Sequence, residues 1–94
     1  MGTIAARQCR EIMSNTERVI AVELLCAAQA VDLVSRQKGL IPGKGTQAAW
    51  EAIREKIAYL DSDRQLSHDI DAVTAMVRSG EIVAAVESVV GELK

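Results

Sequence analysis

The glycine-rich stretch GLIPGKGT, from Gly39 to Thr46, is the first place where residue types and spacing suggest chemistry. A phosphate-binding loop needs G-x-x-x-x-G-K-[ST] after a buried strand, so that backbone amides and a helix N-terminus converge on the phosphates. Here three residues separate Gly39 from Gly43, Gly45 stands where Ser or Thr belongs, and no strand pattern precedes. We therefore interpret the stretch as a linker between helices, with Thr46 as the N-cap of the second helix.

An acidic cluster surrounds the single histidine, His68. Its members are Asp61, Asp63, Asp69 and Asp71. A calcium loop would follow D-x-[DN]-x-[DN]-G, and no glycine falls at the required position. A lone histidine can act as a general base, but nothing nucleophilic lies beside it in the sequence. We interpret the aspartates as helix caps and solvated groups, with Arg64 forming local ion pairs, and His68 as a surface residue.

Two cysteines, Cys9 and Cys26, stand seventeen positions apart. There is no C-x-x-C motif and only one histidine, so a thiolate or His-rich zinc site cannot be assembled from this chain. We expect two buried, reduced thiols in a cytoplasmic protein.

Three polar residues, Glu23, Gln29 and Asp32, interrupt an otherwise apolar run from Val19 to Val34. A carboxylate in a buried helix must pair, for example with an arginine of another helix, or line a polar cavity. We favour structural pairing for all three residues. No residue of the chain is assigned a catalytic, cofactor-binding or metal-binding role.

The segment from Arg18 to Arg36 that carries these residues is apolar over most of a helical circumference. Such a helix is normally buried on nearly every side or spans a membrane. Two acidic residues within the run argue against a membrane span, which needs about twenty mostly apolar residues. We therefore expect this helix in the middle of a bundle, although 94 residues supply few partners to surround it.

Apolar periodicity predicts an all-α protein in which every segment is helical. One long helix should cover about 3–37, although a capping-box pattern at Ser14 also allows a new helix to begin there. We favour the continuous helix, bent near Ser14, because no Gly or Pro interrupts it. A linker over 38–45 separates it from three shorter helices at about 46–60, 67–79 and 81–92. Arg54 should lie on the solvent-exposed side of the second helix.

Composition narrows the possible partners. The chain is 49% hydrophobic but only 2% aromatic, with a net charge of −2. A small domain of this size has a marginal core of its own, and many small aliphatic residues are typical of one layer of a larger helical assembly. No basic face is present, so we expect no nucleic-acid partner. The N-terminus lacks a secretory signal pattern, so we expect a cytoplasmic protein without a membrane partner.

Five segments together resemble the C-terminal part of histidine ammonia-lyase. They are MGTIAARQCREI, ERVIAVELLCAAQAVDL, GKGTQAAWEAIRE, YLDSDRQLSHDI and VRSGEIVAAVE. Their order and spacing match over practically the whole chain. Tyrosine and phenylalanine ammonia-lyases and the related aminomutases share this region in looser form and remain alternatives, as does an independent helical interaction module.

The resemblance implies an all-α homotetramer built round long helices, which eliminates ammonia from an aromatic amino acid; for L-histidine the product is urocanate. The family's electrophile is a methylidene-imidazolone formed from an Ala-Ser-Gly tripeptide. This chain contains no Ala-Ser-Gly, and Arg78-Ser79-Gly80 is the nearest sequence. Met1-Gly2 matches an M-G pair just after a catalytic acidic residue of the family, so we expect the chain to begin beyond that residue.

We therefore predict a structural and oligomerisation segment of a histidine ammonia-lyase, with no catalysis, cofactor or metal of its own. It should associate with itself through the helix at 19–34, or with the N-terminal lyase body that the resemblance implies.

Overall fold

Four helices make up the computed structural model, which describes residues 2–93. They are α1 (Gly2–Lys38), α2 (Lys44–Arg54), α3 (Ser67–Ser79) and α4 (Glu81–Val90). The prediction of an all-α protein is confirmed, since residues 2–93 contain no strand. Within the same residues, no helix has both the length and the apolar character that crossing a bilayer requires.

The long helix α1 is continuous over 37 residues. At about 1.5 Å per residue it accounts for the longest dimension of the molecule, 55 Å. The polar Ser14–Thr16 stretch lies inside the helix, where the hydroxyl of Thr16 donates to the carbonyl of Ile12 at 2.8 Å. No second helix begins at Ser14, and α1 ends where Gly39 takes a positive φ of 66°.

Helix α2 is shorter and begins earlier than the predicted range of 46–60. It begins at Lys44 with Gly43 as its N-cap, and no side chain caps it, so Thr46 is not the cap. It ends at Arg54, and the guanidinium of this residue donates to the carbonyls of Ile57 and Ala58, both at 3.2 Å from Nη1. The chain then runs without regular structure until α3 begins.

Helices α3 and α4 meet at a single residue, Gly80, whose φ of 80° lies in the left-handed region that favours glycine. The residue before α3 is Leu66, and no side chain caps this helix, so Asp63 does not have the predicted capping role. Helix α4 ends at Val90, against the predicted range of 81–92.

The core forms where α1 packs on α3, α2 packs on α4, and α1 and α2 touch. Its buried hydrophobic side chains are few and mostly aliphatic. They are Ala21, Ala28, Ile53, Ile57, Val73, Met76 and Ile82. Helices α2 and α4 approach closely at Gly45, where an added Cβ would lie 3.5 Å from Val86 and 3.6 Å from Val90. This small core covers only one side of α1.

Candidate functional site

The covered side of α1 includes Leu24 and Leu25, which are partly buried against the core. The buried residues on this side, called here the inward face, are Ala21, Ala28 and Asp32. These residues are 0%, 3% and 7% exposed. Seven- and four-residue steps place them on one side of the helix. The two alanines let the neighbouring helices approach closely, and Asp32 brings a charge into the same contact. The inward face is therefore narrow and partly polar.

The opposite side of α1 carries larger apolar side chains that the chain leaves uncovered. A seven-residue repeat runs along it, and we call these residues the outward face: Ala5, Ile12, Val19, Cys26 and Leu33. All five are exposed, with Ile12 at 64% and Val19 at 57%. Val22, Ala30 and Val34 are exposed beside them. A seven-residue apolar spacing is the pattern by which a helix packs against another helix in a left-handed supercoil.

Two expectations from the sequence about residues of α1 are wrong. Cys9 and Cys26 are free thiols, but both are exposed rather than buried. Glu23 is also exposed, and it takes part in none of the five ion pairs found in residues 2–93. The sequence shows that Glu23 and Cys26 lie within an apolar run, but it does not show which side of the helix the rest of the chain covers. The neighbours that decide this lie far away in the sequence.

The buried carboxylate of α1 is Asp32, and its partner is Arg54 of α2. The guanidinium Nη2 lies 2.7 Å from Asp32 Oδ2, and Nε donates to the same oxygen at 2.8 Å. Nη2 also donates to Gln29 Oε1 at 3.2 Å. The two charged side chains are only 14% and 9% exposed, so the pair is largely shielded from solvent. The predicted pairing with an arginine of another helix is observed for Asp32 and Gln29.

Gln29 carries the contact onward to the segment after α2. Its amide donates to the carbonyl of Leu60 at 2.9 Å, and its Oε1 accepts from the backbone N–H of Leu60 at 3.3 Å. The side chain of Gln29 therefore bonds to both the backbone carbonyl and the backbone N–H of Leu60, a residue of the 55–66 segment. This holds the irregular segment against α1.

Arg54 is the functional residue that sequence reasoning misplaced on the solvent-exposed side. It stands four residues after Trp50 and four before Ala58, and this spacing would have placed it near the apolar side of the helix. Its five donor groups make it suited to joining a carboxylate, an amide and two carbonyls at once. Arg54 thus links α1, α2 and the 55–66 segment.

A second arginine, Arg64, holds the far end of the same segment. It pairs with Asp69 at 2.9 Å and donates to the carbonyls of Ala58 at 2.6 Å and Tyr59 at 3.2 Å. The ring of Tyr59 in turn lies under the guanidinium of Arg36, 3.7 Å from its centroid. The local ion pairing expected for Arg64 is observed with Asp69.

These contacts leave a cleft of about 300 Å³ between α1 and the 55–66 segment, which we call the loop cleft. Its walls are mostly apolar, and its polar lining residues are Gln29, Arg54, Arg64 and Asp69. The apolar walls include Leu25, Leu33, Ile57, Leu60 and Leu66. Cys26 and Ala30 border it from the outward face of α1.

The other sequence candidates are not brought together into a reactive site. Within residues 2–93, no three His, Cys, Asp or Glu side chains lie close enough to hold a metal ion. His68 is exposed in the first turn of α3. The Arg78-Ser79-Gly80 sequence forms the junction between α3 and α4, where the hydroxyl of Ser79 donates to the carbonyl of Met76 at 3.1 Å.

Comparison with known proteins places the chain in a family. The aromatic amino acid lyase family matches residues 1–55, which comprise α1, the linker and α2. This covers more than half of the 94 residues. The chain belongs to the aromatic amino acid lyase family. Helices α3 and α4 lie beyond that match, but individual relatives of the lyase family extend it to the whole chain.

Several bacterial lyases match this family member from end to end. The histidine ammonia-lyase of Symbiobacterium thermophilum is 51% identical over 94 residues. That of Natranaerobius thermophilus is 44% identical over 94 residues, and that of Gloeobacter violaceus is 44% identical over 93 residues. The alignments cover 99–100% of this chain but only 18% of each relative, so the chain corresponds to a segment of the histidine ammonia-lyases. No solved structure matches the chain.

Proposed function

We propose that this chain is the C-terminal structural and assembly segment of a histidine ammonia-lyase, the enzyme that eliminates ammonia from L-histidine to give urocanate. The observation that carries the proposal is the outward face of α1, whose larger apolar side chains are left uncovered by the chain itself. Identities of 44–51% to histidine ammonia-lyases support the choice of histidine over other aromatic substrates.

Burial energetics support an assembly role for the outward face. Covering a Val, Leu or Ile side chain contributes about 1.5–3 kcal/mol relative to leaving it in water. Ile12, Val19 and Leu33 are 64%, 57% and 41% exposed, so a large part of this contribution is not realised within one chain. Copies of this chain, or the helices of a lyase body, would realise it by packing along α1.

A non-catalytic role is supported by how the polar side chains are used. The side chains of Asp32, Gln29 and Arg54 bond to one another and to the backbone. Tyr59 stacks against Arg36. We propose that the methylidene-imidazolone and the groups that transfer protons belong to other parts of the enzyme. A cytoplasmic location accords with two exposed thiols, which persist unpaired in a reducing compartment.

The experiment that tests this proposal is complementation. The Symbiobacterium thermophilum lyase, shortened to lack the matching segment, is co-expressed with the 94-residue chain, and urocanate formation from L-histidine is followed by absorbance. We expect activity only when both parts are present. In a disrupting variant, Ala30→Arg places a charge on the outer surface of α1 and should prevent the restoration of urocanate formation.

Two results would contradict the proposal. Urocanate formation by the 94-residue chain alone would refute the non-catalytic role. Full restoration by the Ala30→Arg variant would refute assembly through the outer surface of α1, because a charge buried without a partner is strongly unfavourable in a helix contact.

A further inference from the structure

The linker between α1 and α2 presents an apolar projection. Leu40 is 57% exposed and Ile41 is 84% exposed, the highest value among the exposed large hydrophobic side chains of residues 2–93. Gly39 turns the chain out of α1 with a positive φ, and Pro42 restricts the backbone that follows. We call residues 39–42 the linker knob. A large aliphatic side chain this exposed, between Gly39 and Pro42, is suited to entering an apolar cleft.

The loop cleft has the matching properties. Its volume of about 300 Å³ lies at the lower end of the range found for ligand pockets, and its walls are mostly leucine, isoleucine and alanine side chains. It is open to the outside beside the outward face of α1. An aliphatic side chain entering it would bury apolar surface on both sides of the contact.

The knob and the loop cleft lie on opposite sides of the same ridge of α1. Ala30 borders the loop cleft, and it also borders a second depression formed with Val34, Leu40 and Ile41. Within one chain the knob therefore packs on one side of Ala30 while the loop cleft opens on the other. A twofold axis parallel to α1 exchanges the two sides, so the knob of one copy faces the loop cleft of the next.

Charges next to the two features are complementary. Lys38 and Lys44 flank the knob, while Asp61 and Asp63 lie in the sequence between Leu60 and Arg64, two residues that line the loop cleft. All four are exposed, and none belongs to the five ion pairs found within residues 2–93. Opposite charges around an apolar contact favour the correct partner and the correct register.

We propose that the occupant of the loop cleft is the linker knob of a second copy of this chain. The proposal rests on the self-association proposed above and adds a specific contact to it. Twofold symmetry makes the contact reciprocal, since each copy supplies one knob and one cleft. The lysines beside the knob then approach the aspartates beside the cleft on the partner copy.

Site-directed cross-linking tests this contact. Ile41→Cys and Leu66→Cys are made separately in a chain whose own cysteines are replaced (Cys9→Ser and Cys26→Ser), mixed, and mildly oxidised. We expect a disulfide between positions 41 and 66 that joins two chains, identified by mass spectrometry of the linked peptides. Val83→Cys replaces Leu66→Cys in the control, because Val83 is 51% exposed on α4, outside the cleft, and should not link to position 41.

The outcomes separate this contact from the proposed function. If the chain self-associates but positions 41 and 66 do not link above the level of the control, knob docking is wrong and association through α1 stands. If the chain is a monomer by sedimentation at all concentrations, self-association is wrong and knob docking falls with it.

Charge reversal provides a second, independent measurement. Asp61→Lys with Asp63→Lys should weaken self-association about tenfold, and combining it with Lys38→Asp and Lys44→Asp should recover most of that loss. Ile41→Asp should weaken self-association by a similar factor, whereas Val83→Asp should leave self-association unchanged. Unchanged association in both Ile41→Asp and the aspartate reversal would overturn the proposal.

Discussion

The two faces of α1 differ in a way that helix periodicity alone does not reveal. The inward face consists of two alanines and an aspartate, and its own chain covers it. The outward face carries Ile12, Val19 and Leu33, which are larger and more apolar, and its own chain leaves it exposed. Leu24 and Leu25, which lie beside the inward face, also pack against the core and are partly buried. Within one chain α1 is therefore held by closely packed alanines, these two leucines and a buried ion pair, whereas the outward face is available to other helices.

The sharpest way to separate the two faces is to place the same charge on each. Ala28 is 3% exposed on the inward face, and Ala30 is exposed beside the outward face. Ala28→Arg should lower the free energy of unfolding by about 4 kcal/mol, because a bulky unpaired charge enters a close helix contact. Ala30→Arg should leave thermal unfolding of the monomer nearly unchanged while preventing self-association. Equal loss of stability in the two variants, measured by circular dichroism, would remove the distinction between the faces.

The buried ion pair at the inward face is tested by removing Arg54, the partner of Asp32. Arg54→Ala leaves Asp32 without its charged partner and frees the carbonyls of Ile57 and Ala58, so we expect a loss of about 3 kcal/mol in urea denaturation. Arg18→Ala is the control, because the Arg18–Asp71 pair is 51% and 61% exposed and should be worth less than about 1 kcal/mol. A loss at Arg54 no larger than that at Arg18 would show that the buried pair does not stabilise the fold.

The apolar core beneath the inward face gives a smaller effect. Met76 is fully buried, and Met76→Ala should cost about 2 kcal/mol through lost burial and the cavity that remains. Met13→Ala makes the same change on the uncovered part of α1, where the side chain is 59% exposed, and should change the free energy of unfolding by less than about 0.5 kcal/mol. If Met13→Ala destabilised the isolated monomer as strongly as Met76→Ala, the N-terminal part of α1 would have to be covered by its own chain.

The helical character of the chain could be predicted from local pattern, because apolar residues recur at three- and four-residue steps. The end of α2 could not be predicted from local pattern. Residues 55–60 continue the apolar spacing, but Arg54 and Gln29 offer their own hydrogen bonds to Ile57, Ala58 and Leu60, and the chain leaves the helix there. Gln29 and Leu60 are 31 positions apart, so no local pattern contains this competition.

The candidate site could be predicted only in part for a related reason. The apolar run from Val19 to Val34 identifies α1 as a helix that needs neighbours, and it contains both Glu23 and Asp32. Nothing within the run distinguishes the exposed carboxylate from the buried one. That difference depends on Arg54, a residue of α2 that reaches Asp32 only after the linker has turned the chain back along α1.

The most direct test of this account is the solution mass of the 94-residue chain, measured by sedimentation over a range of concentrations. Because the outward face of α1 is apolar and uncovered, we predict a mass that rises above the monomer value of 10.1 kDa with concentration, and a return to that value in the Ala30→Arg variant. A mass of 10.1 kDa at every concentration, with a single cooperative unfolding transition, would contradict the claim that α1 requires helices beyond its own chain.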